Sequence, residues 1–249
     1  MKSYSQGILS FVIVFMISGC AQCSHSGQRS LRQQEQQTAY KSSETTPRSR
    51  TPNTPINPTI FSNIGNNSPI STIVQQTEPC VFVVYNLDNN GNSRGQGTGF
   101  FINASGIGVS NYHVFEGGSS WIIKTTNGEQ FRVKEIIKQS SEFDFVVFSV
   151  ETNKAFPYLD LAPILPRKGD EILVLGNPKG LESTLTRGIV SSIRGETNTD
   201  DYIQIDAAIS PGSSGSPVVN MQGKVVGIAT LKVKECENCN FAINIQRIK

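Results

Sequence analysis

Histidine is scarce in this chain: there are two in 249 residues, and only His113 lies beyond residue 25. A zinc site around Cys236 and Cys239 would want two further ligands that this stretch does not supply, so no metal and no cofactor is expected. An excess of one charge is also missing. The 22 Lys and Arg residues against 20 Asp and Glu leave a net +2, with no block of like charge, which argues against a nucleic-acid partner. The apolar run from Ile8 to Ile17, broken only by Ser10, is about half of the roughly 20 residues that a membrane-spanning helix needs. No helical period is sustained over ten residues of the chain, so an all-helical fold is excluded.

What the first 20 residues do hold is the plan of an export signal. Lys2 precedes the apolar run, and the run ends in Ile17-Ser18-Gly19-Cys20, which resembles the lipobox of bacterial lipoproteins. Residues 1–19 are therefore read as a cleaved signal and Cys20 as a lipidated membrane anchor, with cleavage at nearby small residues as the plainer alternative. Ala21 stands where an aspartate would hint at retention in the inner membrane, so the periplasmic face of the outer membrane is preferred for a Gram-negative source. Residues 20–70 are rich in Ser, Thr, Gln, Asn and Pro and cannot bury enough apolar surface to offset their ordering entropy. They read as a flexible linker with a reach of roughly 40 Å.

An exported chain sits where disulfides persist. Cys236-Glu237-Asn238-Cys239 lacks the βαβ setting of a redox motif, and a small structural disulfide is the favoured reading. The pairing of Cys23 and Cys80 stays open.

From residue 71 onward short β-branched and aromatic runs alternate with turn signals such as Asn89-Asn90-Gly91 and Asn127-Gly128. Six runs fall between Cys80 and Val150 and six more between Glu171 and Ile243. Many short strands at regular spacing argue for an all-β barrel or sandwich, and two groups of six argue for two barrels, about 75–155 and 160–245. Only Gln246 to Lys249 reads as the start of a helix.

Chemistry concentrates in Ser210-Pro211-Gly212-Ser213-Ser214-Gly215-Ser216-Pro217. A nucleophilic serine needs a tight loop that lets a carbonyl approach the backbone, and N–H groups around Gly212, Ser213 and Ser214 would meet a developing oxyanion. Standing alone, the segment is a Ser/Gly-rich turn. Serine, however, requires a neighbouring base, and His113, after the apolar run ending at Ser110, is the one candidate in the folded part. The carboxylate that orients an imidazole is Asp144, at the head of Phe145-Val146-Val147-Phe148, or Asp206, closer to Ser214 in sequence.

The order His113, Asp144, Ser214 resembles that of chymotrypsin-like serine proteases. Gly97-Thr98-Gly99-Phe100, Asn111-Tyr112-His113-Val114, Asp144-Phe145-Val146-Val147, Gly176-Asn177-Pro178-Lys179-Gly180-Leu181, Thr186-Arg187-Gly188-Ile189-Val190-Ser191 and Asp206-Ala207-Ala208-Ile209 resemble the HtrA/Deg branch. The resemblance covers residues 75–245. It implies two six-stranded antiparallel β-barrels with His113, Asp144 and Ser214 in the cleft between them, and leaves Asp206 structural. It further implies a serine endopeptidase of the bacterial cell envelope acting on exported or unfolded proteins, with protein or peptide substrates as partners. A trimer is compatible with the resemblance, and the sequence leaves the oligomeric state open. The alternative is a catalytically silent, membrane-anchored binding module of the same fold.

Two departures matter. Ser213 replaces the residue, asparagine in this branch, that usually precedes the serine, and cannot pair with a freed N-terminus. No PDZ module is expected, because the matching sequence runs close to the last residue. By the same resemblance the specificity pocket is lined by Ala208, Ile209, Ser210, Ala229, Thr230 and Asn240. Ala208 occupies the place of the acid that gives basic specificity, so a small or aliphatic residue is expected before the cleaved bond.

Overall fold

A computed structural model describes residues 69–176, 184–195, 201–230 and 240–249. The expected signal, anchor and linker, with Cys20 and Cys23, and the expected disulfide, Cys236 and Cys239, lie outside the described residues, as does most of the Gly176–Leu181 motif. The folded part is built of strands. The first six are β1 (Val81–Leu87), β2 (Ser93–Phe101), β3 (Ile107–Ser110), β4 (Ser120–Thr125), β5 (Gln130–Ser140) and β6 (Phe145–Val150). The second six are β7 (Glu171–Gly176), β8 (Thr184–Arg194), β9 (Tyr202–Ile205), β10 (Pro217–Asn220), β11 (Val225–Thr230) and β12 (Asn240–Asn244).

Each set closes on itself, in the orders β1-β2-β3-β6-β5-β4 and β10-β11-β12-β9-β8-β7. All the ladders are antiparallel, and β1 with β4 and β10 with β7 form the closing pairs. Closure removes the exposed edges that open sheets must protect. The fold is the pair of six-stranded antiparallel barrels that the sequence leads one to expect.

Several strands are apolar on both faces, and the reason is that both faces are buried. Along β6 every residue is buried. Val146, Phe148 and Val150 fill the first barrel, where Phe82, Phe101, Phe115 and Phe156 also pack. Phe145 and Val147 face the other way, into a core shared with Leu173, Leu175, Val219 and Ile243 of the second barrel. Strand β7 alternates likewise, with Ile172 and Val174 inside the second barrel and Leu173 and Leu175 in the shared core. Period-2 alternation here separates two apolar environments rather than apolar from wet.

One helix goes beyond what the sequence leads one to expect. Ile70–Thr77 forms a helix of 8 residues after Pro69, and its Ile73 is fully buried in the shared core. It is shorter than the window in which a helical period is visible. The last turn is a 3₁₀ helix at Ile245–Ile248 that buries Ile245 and Ile248, a short form of the helix start expected there.

Candidate active site

Strand β3 stops at Ser110, and His113 follows on a single helical turn, Tyr112–Phe115, rather than on the strand itself. Asn111, fully buried, donates its Nδ2 hydrogen to the backbone carbonyl of Asp144 at 2.9 Å. Asp144 ends the turn just before β6 in the left-handed region, at φ 56°, which aspartate tolerates better than most non-glycine residues. That backbone turn leaves its carboxylate pointing back at the helical turn.

The carboxylate collects donors. The backbone N–H of His113 reaches Oδ1 at 3.0 Å, and ring Nδ1 lies 3.0 Å from Oδ1 and 2.9 Å from Oδ2. The Thr230 hydroxyl, from the second barrel, donates to Oδ2 at 2.9 Å. Burial disfavours the charge on Asp144, but the hydrogen bonds from His113 and Thr230 and the nearby imidazole outweigh it and hold the carboxyl below its usual range. An ionised carboxylate only accepts, so the proton between the two groups belongs on Nδ1. In the neutral ring Nε2 is then the nitrogen that carries the lone pair. The imidazole is 45% exposed while the Asp144 side chain is 5% exposed, so the pair has one dry end and one open to solvent.

Ser214 lies on the loop before β10, which is pinned to β2 of the other barrel. The Thr98 N–H donates to the Ser214 carbonyl at 2.8 Å, and the Thr98 hydroxyl to the Gly212 carbonyl at 2.7 Å. The Thr98 carbonyl in turn accepts from the Ser110 hydroxyl at 2.7 Å. Glycines make this approach feasible. A β-carbon on Gly97 would lie 2.6 Å from Val114 Cγ2 and 3.1 Å from the Ser214 carbonyl oxygen, so Gly97 sits between the His113 turn and the Ser214 loop. Gly215, at φ 88°, has the Thr98 carbonyl oxygen where a β-carbon would be.

Among the described residues the N–H groups of Gly212 and Ser214 have no acceptor, whereas that of Ser213 donates to the Ser210 carbonyl at 2.9 Å. The Ser213 N–H thus closes a turn, whereas those of Gly212, at φ 97°, and Ser214 stay without an acceptor among the described residues. No hydrogen bond joins Ser214 Oγ to the His113 ring among these residues. Such bonds are often long until substrate binds.

The expected pocket residues divide. Ala208 is exposed, Ile209 packs against the second barrel's core, and the Ser210 carbonyl closes the turn just described. Ala229 is fully buried on β11, with its N–H and carbonyl bonded to Ser216 and Gly215. Asn240 donates its amide to the Ala207 carbonyl at 2.8 Å. Thr230 is buried, and its hydroxyl donates to Asp144 Oδ2. Asp206 accepts from the Ile189 N–H at 2.6 Å, a bond that ties β8 to the loop after β9.

Residues 97–228 match the family model of the trypsin-like peptidase domain. The chain belongs to the trypsin-like peptidase family. Its relatives include the "Probable periplasmic serine endoprotease DegP-like" of Rhizobium meliloti, 38% identical over 141 residues, which are 55% of this chain and 28% of that protein. They also include human serine protease HTRA3, 32% identical over 200 residues, 72% of this chain and 43% of that protein. The chain thus spans well under half the length of either relative. Among solved structures, the serine endoprotease from Yersinia pestis is similar with a TM-score of 0.63 at 29% identity, over 73% of this chain and 64% of that one.

For a peptidase domain of this family, the residues that sequence reading passed over are those that hold the others. Thr98 was visible only as part of a motif, and Asn111 only as a neighbour of His113. Nothing local to β11 signals that the Thr230 hydroxyl reaches an aspartate 86 positions earlier.

Proposed function

We propose that this chain is a serine endopeptidase of the bacterial cell envelope that cleaves exported or unfolded proteins through Ser214, His113 and Asp144. The observation that carries the reading is the double approach of His113 Nδ1 to the Asp144 carboxylate at 2.9 and 3.0 Å. It supports a fixed tautomer in which Nε2 takes the Ser214 hydroxyl proton as Oγ attacks the scissile carbonyl. The carbonyl oxygen becomes an oxyanion, for which the free N–H groups of Gly212 and Ser214 are the donors. His113 then gives the proton to the leaving amine, and the acyl group on Ser214 is released by water through the same base. Asp144 stays ionised throughout and stabilises the imidazolium.

The relatives' names support an exported protein, and Cys20 supports a lipid anchor that holds the domain on a membrane. Ala208 supports a small or aliphatic residue before the cleaved bond.

A fluorophosphonate probe tests the central reading, because it reports serine activation independently of substrate. The wild-type protein should be labelled, and Ser214→Ala, His113→Ala or Asp144→Asn should each lower turnover by about 10⁴-fold or more. The losses should be far from additive, since the three act as one unit. A Ser214→Ala protein that cleaves an unstructured substrate at the wild-type rate would end the proposal. Metabolic labelling with palmitate, lost in Cys20→Ser, tests the anchor separately.

A further inference from the structure

We infer that Asn86 is a positioning residue for His113, acting through the helical turn that carries the imidazole. The inference rests on the proposal that His113 is the general base. The turn Tyr112–Phe115 has 4 residues and no side-chain cap at its start, so it is too short to hold itself. At its end the Phe115 carbonyl accepts from the Gly118 N–H at 3.3 Å, but those of Val114 and Glu116 accept from no backbone N–H outside the regular elements among the described residues. Side chains from two neighbouring strands bind all three. The Asn86 amide donates to the Val114 carbonyl at 2.9 Å and to the Glu116 carbonyl at 3.0 Å. Between them, the Phe115 carbonyl accepts from the Trp121 indole N–H at 3.1 Å. Three successive carbonyls following His113 are therefore each tied to the barrel wall.

Asn86 and Trp121 are themselves direct partners, facing each other in the β1–β4 ladder that closes the first barrel. Trp121 also stacks on Phe115, with ring centroids 5.2 Å apart. Gly118 makes room for the arrangement. A β-carbon there would lie 2.3 Å from Asn86 Oδ1 and 2.7 Å from Trp121 Nε1, so the chain must pass as glycine.

A stability role alone explains Asn86 poorly. The residue is 4% exposed, and its Oδ1 is buried with no hydrogen-bond partner. Burying an orphan acceptor is unfavourable, and an apolar side chain of similar shape would avoid it. What leucine could not do is fix the Val114 and Glu116 carbonyls, and with them the direction in which His113 leaves the backbone. Asn86 touches no reacting atom; it sets where the base stands.

The test compares Asn86→Leu, which keeps the volume and removes both donors, with Gly118→Ala, which keeps the amide and displaces it. Both are assayed beside Ser214→Ala for peptide cleavage, thermal melting and the low-field proton resonance of the His113–Asp144 hydrogen bond. The expected result is a kcat lower by about 10- to 100-fold with KM within about twofold, together with a broadened or shifted low-field resonance, at temperatures where the variants are folded. If Asn86→Leu does not fold, the same signature in Gly118→Ala carries the inference. Wild-type kcat and an unmoved resonance in the folded variants, with Ser214→Ala inactive, would overturn the role of Asn86 alone. Full activity in Ser214→Ala would remove the catalytic proposal and this inference with it.

Discussion

The Thr230 hydroxyl, on the second barrel, donates to Asp144 Oδ2, at the head of β6 on the first, across 2.9 Å. Both residues are almost fully buried, so the bond is dry and its loss leaves a charged acceptor short of a partner. The two halves of the fold meet in this contact as surely as in their shared apolar core.

Thr230→Val keeps the shape and removes the donor. Stability at pH 7 should fall by about 1–3 kcal/mol, the usual range for an unsatisfied buried group. The pH dependence follows from the depressed pKa of Asp144. Its contribution is complete above the ordinary carboxylate value of about 4 and is lost as pH falls through its own, lower value. The variant raises that lower value by removing a bond to the charged form. Denaturant melts at several pH values should show the two proteins converging below about pH 4. Equal stability at pH 7 would mean the bond is idle.

Gly215→Ala should be damaging beyond its backbone cost. A left-handed residue other than glycine costs on the order of 1–3 kcal/mol, and here the new methyl would also meet the Thr98 carbonyl oxygen and the Ser110 hydroxyl. The Ser214 loop would be pushed off β2, and cleavage should fall by about 100-fold. Gly91→Ala is the control, since Gly91 has φ 80° but nothing within 4 Å of a β-carbon. Similar activity in the two variants would contradict the packing argument.

Cys80 is fully buried at the end of the 3₁₀ turn Glu78–Cys80, just before β1, and its thiol donates to the Gln76 carbonyl at 3.4 Å. Burial pushes its pKa far up, so the thiolate that alkylating reagents attack is absent. Peptide mapping after a pulse of iodoacetamide should find Cys80 unmodified in the native protein and modified in denaturant. Rapid native labelling would show that the helix Ile70–Thr77 opens readily.

Cleavage profiling on a peptide library should show a broad aliphatic preference before the scissile bond. Ala208 presents a methyl group, Thr230 is committed to Asp144, and the Asn240 amide to the Ala207 carbonyl, so nothing among them pairs a buried cation. Aliphatic side chains of different size should differ by only about 10- to 200-fold. A profile dominated by Lys or Arg would sink this pocket.

How much of this was written locally differs by element. Strands such as Ile107–Ser110 and Tyr202–Ile205 are legible to the residue, because β-branched runs stop at turn-forming neighbours. Asn127-Gly128 marks the β4–β5 hairpin, and Gly128 does take a positive φ of 87°. The candidates His113, Asp144 and Ser214 stand out through flanking phrases that resemble those of a family. What escapes is whatever depends on barrel closure. Asn86 and Trp121 become neighbours only when β1 pairs with β4, and Thr98 meets Ser214 only when two barrels dock. The helix Ile70–Thr77 escapes for another reason: packing of Ile73, rather than propensity over eight residues, holds it.

The contact between Asp144 and Thr230 also sets an order in time. A ribosome delivers His113, Asp144 and Ser214 before it delivers β11 and β12. Until then, the emerging chain carries these three side chains without the Thr230 hydroxyl that binds Asp144. On the proposed function, a half-made molecule would therefore lack the aligned pair, and cleavage would wait for the final strands.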